Sequence, residues 1–519
     1  MNTYSNDLFE LIRSLSKSEQ RYFKLFSALH KGCKTNTKLF DAIVKQGRRK
    51  NPKYDEEKIK KEFRQEHFIS YLSQAKNYLY DQILKSLEAY RSSTDSELRS
   101  LLNQAEILLE RGLYKRCKLV LLKLDKEAVK HEKYAYAFEA AILSNQLILK
   151  MPANQRTENE MRTNADNSRN YLKKIENIAG YSHLQTQMNY LILQSGRLVR
   201  NKKELKKWDA IMKNPLLHDE SQAITLNSKL HMYLGLNFYY NVTDDLEKTY
   251  QFCYKIVQLF ESNPDLLTEN INKYVTFLIN LLVSYARKNM HNELYNGIQK
   301  LKNISATCKI KLPFQLEAKI FEYSYSLELD YYLITGQFQK IDTVAHDIEK
   351  GLIKYSGENG RSSVMLCLGI AHLFLINGNY KKSLIWINKI LLDNRLLNSG
   401  DDRIYFFCII RLILYYELKY TNELPYMLKS TYRLFVKKKK MYKVEESILN
   451  FLKKSLKMPD QKELTLAYTE LKESISGIIK DPSEKKVIEY FDFISWLESK
   501  IENRSFSDIL KSKISKNGY

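Results

Sequence analysis

Apolar residues recur three and four positions apart along most of the chain, the spacing that turns one side of an α-helix toward a core. In three segments the pattern breaks in the same way: ERGLYKRC around Gly112 and Tyr114, ITGQFQKI around Gly336 and Phe338, and INGNYKKS around Gly378 and Tyr380. Ahead of these glycines stand Ala105 and Leu108, Leu329 and Tyr332, and Ala371 and Phe374. Behind them the apolar spacing resumes with Cys117, Leu121 and Leu124, with Ile341, Ala345 and Ile348, and with Ser383, Ile387 and Ile390. Each segment predicts a helical hairpin. Glycine reaches the positive φ that ends one helix and lets the next begin within a few residues, and the aromatic two positions later covers the turn.

The same rhythm places further turns near Ala153, Asn201, Val242, Asn289 and Leu418, so hairpins centre near 112, 153, 201, 242, 289, 336, 378 and 418. Pro215, Pro264 and Pro313 are expected to stop second helices, because proline disfavours the helical conformation in the residue before it. His231, Leu234, Gly235 and Phe238 follow a first-helix spacing in which a large residue, Leu-Gly and an aromatic succeed one another. With the turns around Gly112, Gly336 and Gly378, this pattern resembles the tetratricopeptide repeat, with histidine in the tryptophan position. The interval of 40 to 48 residues exceeds the usual repeat of that family and overlaps the HEAT and armadillo range, so the choice among helical repeat families stays open.

The ends read differently. Residues 1–98 predict helices over Ser16–Leu29, opened by a Ser16 to Glu19 capping box, then over Thr37–Gln46, Asp55–Phe63 and Phe68–Tyr90. Residues 444–519 predict three more, broken by Pro459 and Pro482, with a lysine-rich tail. The expected fold is all-α: a right-handed α-solenoid of about eight helix-turn-helix hairpins over residues 99–443, with helical N- and C-terminal caps. Low glycine and proline, 16 and 8 of 519 residues, argue against collagen-like, low-complexity and turn-rich β folds.

The chain is basic, with 83 Lys and Arg against 60 Asp and Glu, a net charge of +23. Such an excess suits acidic proteins, nucleic acid or anionic membranes, although lysine abundance also follows from an AT-rich genome. Two stretches concentrate the charge. Lys31–Lys53 has Lys45, Arg48, Arg49, Lys50 and Lys53 between two predicted helices, and Met427–Lys443 has Arg433, Lys437, Lys438, Lys439 and Lys440 interleaved with aromatics. These ten residues are the candidate contacts to nucleic acid or an acidic partner; the competing reading is a solvated helix face. Gly112, Tyr114, Gly235, Gly336, Phe338, Gly378 and Tyr380 are assigned structural roles in the repeat turns.

No catalytic constellation emerges. The sequence contains no GxxxxGK[ST], HExxH or GxSxG pattern, and its six cysteines have no CxxC pair. Asp244 with Asp245, and Glu445 with Glu446, fit helix starts better than acid–base pairs. No cofactor or metal is expected. The apolar stretches Val364–Ile376, Tyr405–Tyr416 and Tyr274–Ala286 fall short of the roughly 20 residues of a membrane span. Scattered cysteines and an amino terminus without a signal-peptide core lead to the expectation of a cytoplasmic protein. The expected function is a non-catalytic scaffold or adaptor that holds acidic partner segments in a solenoid groove. The alternative is a regulator whose N-terminal helices bind nucleic acid.

Overall fold

A computed structural model describes residues 3–28, 33–47, 54–90, 93–152, 157–195, 202–308, 312–355, 360–392, 403–438, 441–458, 460–480 and 491–517. Among them the chain is helical, without strands, and helices consecutive in sequence pack on one another. It divides into two compact units, Met1–Gly180 and Tyr181–Tyr519. No helix of the described residues is long and apolar enough to cross a membrane.

The first unit contains α1 (Thr3–Ser14), α2 (Lys17–Ala28), α3 (Cys33–Gly47), α4 (Glu56–Glu62), α5 (Leu72–Tyr90), α6 (Thr94–Glu110), α7 (Tyr114–Lys130), α8 (Tyr134–Lys150) and the first part of α9 (Glu158–Ser195). The helix α1 was not anticipated; Leu8, Phe9 and Ile12 bury its apolar stripe against Phe23, Phe40 and Leu79. The Ser16 capping box forms in both directions, Glu19 N–H donating to Ser16 Oγ at 3.2 Å and Ser16 N–H to Glu19 Oε2 at 2.7 Å. Gln46 pairs its carboxamide with the backbone of Asp55. Its Nε2 donates to the Asp55 carbonyl and its Oε1 accepts from the Asp55 N–H, both at 2.9 Å.

The second unit begins within α9 and continues through α10 (Lys202–Met212), α11 (Leu226–Val242), α12 (Leu246–Glu261), α13 (Pro264–Glu269), α14 (Ile271–Arg287), α15 (His291–Lys302), α16 (Ile304–Cys308), α17 (Phe314–Ile334) and α18 (Ile341–Lys354). It ends with α19 (Gly360–Ile376), α20 (Tyr380–Leu391), α21 (Arg403–Glu417), α22 (Leu424–Lys438), α23 (Lys443–Ser455), α24 (Gln461–Ile478), α25 (Phe493–Ile501) and α26 (Phe506–Asn517). Pro264 and Pro313 stand just before the first turns of α13 and α17 or within them, so each opens a helix after the previous one has ended.

One closure recurs at eight helix ends among the described residues. A residue with positive φ is followed by one whose N–H donates five residues back, the Schellman arrangement that satisfies a free carbonyl of the last turn. The left-handed positions are Gly112, Glu132, Asp244, Asn289, Gly336, Gly378, Lys419 and Asn503. Leu113 thus bonds Leu108, Met290 bonds Tyr285, and Asn379 bonds Phe374, at 2.8–3.0 Å. Three hairpins also share a register across the turn: Cys117 Sγ donates to the Ala105 carbonyl at 3.3 Å, Asn237 Nδ2 to that of Thr249 at 3.1 Å, and Ser383 Oγ to that of Ala371 at 2.7 Å. Each links the residue seven before the left-handed position with the one five after it.

Gly378 isolates the backbone cost, because a Cβ added there would meet nothing within 4 Å. Gly378→Ala should destabilise the second unit by about 1 kcal/mol, and Lys419→Gly should stabilise it by several tenths. Urea unfolding of the full chain, followed by tryptophan fluorescence, reads both; shifts of the same sign would contradict this account.

Gly235 corrects its assignment to a turn. It lies in the middle of α11, where a Cβ would stand 2.9 Å from Met188 Sδ, so its missing side chain admits α9 rather than ending a helix.

Candidate functional site

Of the first basic stretch, Lys45 is exposed near the end of α3, while Arg48, Arg49, Lys50 and Lys53 lie outside the described residues. In the second, Arg433 and Lys437 are exposed on α22, Lys438 is that helix's last residue, and Lys439 and Lys440 lie outside the description. The two stretches belong to different units.

The helix α22 is divided lengthwise. Leu424, Leu428, Thr431 and Phe435 are buried, while Tyr426, Tyr432 and Val436 are 75%, 54% and 53% exposed. Lys429, Arg433 and Lys437 share the exposed side, and at about 100° per residue all six outward side chains fall within half the circumference. Among the described residues none of these three cations has an acidic partner. Elsewhere lysines join successive hairpins: Lys288 pairs with Glu247, Lys300 with Glu261 at 2.6 Å, and Lys382 with Asp342 at 2.6 Å. Such exposed pairs contribute between zero and about 1 kcal/mol each, yet they neutralise the lysines involved. The α22 face keeps its charge.

A groove along α19 and α21 is not open. Phe491 packs on His372 with ring centroids 5.3 Å apart, and Phe493 on Phe406 at 6.1 Å. Trp496 Nε1 donates to Glu417 Oε1 at 2.7 Å, and Lys500 Nζ lies 2.6 Å from Glu417 Oε2. A Cβ built on Gly336 would sit 3.5 Å from Lys511 Cγ and 3.6 Å from Ile514 Cδ1. The C-terminal hairpin α25–α26 therefore runs back over helices well before it and covers their side chains with its own aromatics. Tyr380 is half-buried there, and burial, helped by Glu417, pushes its hydroxyl pKa up. Phe338 is fully buried, and Tyr114 is half-buried with its ring 4.0 Å from a Cβ placed on Gly112.

One recess in the first unit escaped the sequence reading. It lies between α7, α8 and the start of α9, is open to solvent on one side and has a volume of about 230 Å³. Leu121, Ala140, Ala141, Leu147 and Met151 form its apolar floor; Asn159, Thr163 and Asn167, four residues apart on α9, form a polar wall. Lys118 is paired with Glu160, and Tyr171 donates to Asp125 Oδ1 at 2.7 Å. Asn164 is committed to structure, its Nδ2 donating to the Ala141 carbonyl at 2.9 Å. The i, i+4, i+8 spacing of Asn159, Thr163 and Asn167 was the available signal, hidden in a polar stretch that lacks an apolar rhythm.

Buried thiols complete the inventory. Burial pushes Cys253 and Cys408 up to about 11 and Cys367 up to about 12, which keeps them protonated and poorly nucleophilic at neutral pH. Among the described residues no three His, Cys, Asp or Glu side chains are grouped to hold a metal ion. No protein-family model matches this chain, and no curated protein shows significant similarity to it.

Proposed function

We propose that the protein is a non-catalytic scaffold built from tetratricopeptide-like hairpins stacked with a right-handed sense, and that α22 docks an acidic segment of a partner protein. The carrying observation is that the basic row Lys429, Arg433 and Lys437, without an acidic partner among the described residues, stands beside exposed Tyr426, Tyr432 and Val436 on one side of a single helix. Cations without internal partners attract an acidic chain, and the flanking apolar atoms add contact area once it has arrived. Buried, unpaired cysteines favour a reducing, cytoplasmic setting for this work.

The test uses the full chain and an array of peptides in which Glu or Asp alternate with Leu or Tyr. Binding should weaken steeply as salt rises, and Lys429→Glu, Arg433→Glu and Lys437→Glu together should abolish it while helical circular dichroism stays unchanged. Undiminished binding by the triple variant, or retention only of duplex DNA, would refute the proposal.

A further inference from the structure

The recess of the first unit has a chemistry opposite to that of α22. In a chain of net charge +23, its wall offers no free cation. Lys118 is neutralised by Glu160, and Asp125 leaves the lining with a net charge of −1. Phosphates and acidic segments would find nothing to pair with. Ser144, Asn159, Thr163 and Asn167 are uncharged, and none of their side chains has a partner among the described residues.

Carboxamides match one abundant neutral group. An Asn or Gln side chain carries a donor and an acceptor in one plane, as a peptide unit does, and the two can pair reciprocally. This protein already makes that pairing internally, where Gln46 grips both the N–H and the C=O of Asp55 at 2.9 Å. From Asn159 to Asn167 the helix rises about 12 Å, the length of about three or four residues of extended chain. Opposite that wall, the floor is aliphatic and Leu122 is 59% exposed at its edge. The recess volume of 230 Å³ is below the roughly 300 Å³ at which small-molecule sites begin, but ample for one aliphatic side chain.

We propose that this recess is a docking site for an uncharged, extended peptide segment of another protein. One aliphatic side chain of the segment enters the floor between α7 and α8, and its backbone amides pair with Asn159 and Asn167. The inference is independent of the α22 face, which lies in the other unit and selects an acidic segment rather than an uncharged one.

The experiment is a titration of the full chain, labelled at methionine and alanine methyls, with the blocked peptide acetyl-Ser-Leu-Ser-Ser-amide and with its Ser-Glu-Ser-Ser counterpart. The leucine peptide should shift the Ala140, Ala141 and Met151 methyls saturably at low-millimolar concentration, and the glutamate peptide should not. The double variant Asn159→Leu, Asn167→Leu should keep the fold, since neither side chain is buried, and weaken binding about tenfold or more, as expected for two lost hydrogen bonds. Three outcomes would each overturn the proposal: no saturable shift up to about 10 mM, equal binding of the glutamate peptide, or unchanged affinity in the double variant.

Discussion

Replacing Trp496 with alanine should cost the second unit about 3–5 kcal/mol, the largest loss expected from a single truncation in this chain. Trp496 is 1% exposed and packs in one core with Phe491, Phe493 and Phe506. Removing the indole leaves a large void, and it also takes from Glu417 the N–H donor at 2.7 Å. That carboxylate is 6% exposed and would retain Lys500, so the loss combines a cavity with an under-satisfied buried charge. All three tryptophans, Trp208, Trp386 and Trp496, lie in the second unit, so the fluorescence remaining in the variant still reports its unfolding in urea. Trp496→Phe should lose much less, while Leu466→Ala, at a residue 65% exposed, should be near neutral. A loss below about 1 kcal/mol for Trp496→Ala would mean that α25 is dispensable for packing α19 and α21.

Acid should destabilise the second unit through His372. Burial holds its imidazole down to about 4 from the ordinary value near 6.5, the attraction of Asp492 working weakly in the other direction, and Nε2 has no hydrogen-bond partner among the described residues. Above pH 6.5 the ring is neutral in both states and the unit has its full stability. As pH falls below 6.5, the unfolded chain takes up a proton that the folded ring refuses, so stability drops until about pH 4 and then levels. At about 1.4 kcal/mol per pH unit, the loss approaches roughly 3 kcal/mol. His372→Met, similar in bulk and without charge, should flatten that window. Burial also lowers His231, with the same sign, so the difference between wild type and variant is the measurement that isolates His372. An identical pH profile for both proteins would show that the ring titrates in contact with water.

Helices were legible because each must bury one stripe, and a stripe repeats in sequence. The turns were legible in part. Gly112, Gly336 and Gly378 announce their left-handed conformations, and those placed near Val242, Asn289 and Leu418 have left-handed residues at Asp244, Asn289 and Lys419. Glu132 gave no sign, since the Schellman bond and the packing of the flanking helices hold it at positive φ against its own preference, whereas Asn503, a residue type that adopts this conformation readily, stands outside the stretch read for repeats. Turns placed near Ala153 and Asn201 lie outside the described residues.

The candidate contacts divide along the same line. Lysine spacing in Met427–Lys443 was visible, but whether those lysines are free depends on what stands across from them. Lys382 and Lys389 look no different from Lys437 in sequence, yet they meet Asp342 and Glu349, each about one hairpin away. The recess was invisible for a related reason, because its floor comes from α7 and α8 and its polar wall from α9.

From its residues alone, this protein was bound to be helical, with one buried face per helix and glycine at three of its turns, because those demands act within a few residues of each other. Which charges remain unpaired, where a cavity stays open, and that Phe491, Phe493 and Trp496 close over α19 and α21 were decided only in three dimensions. Those outcomes depend on groups far apart along the chain. No local periodicity records which of them will meet.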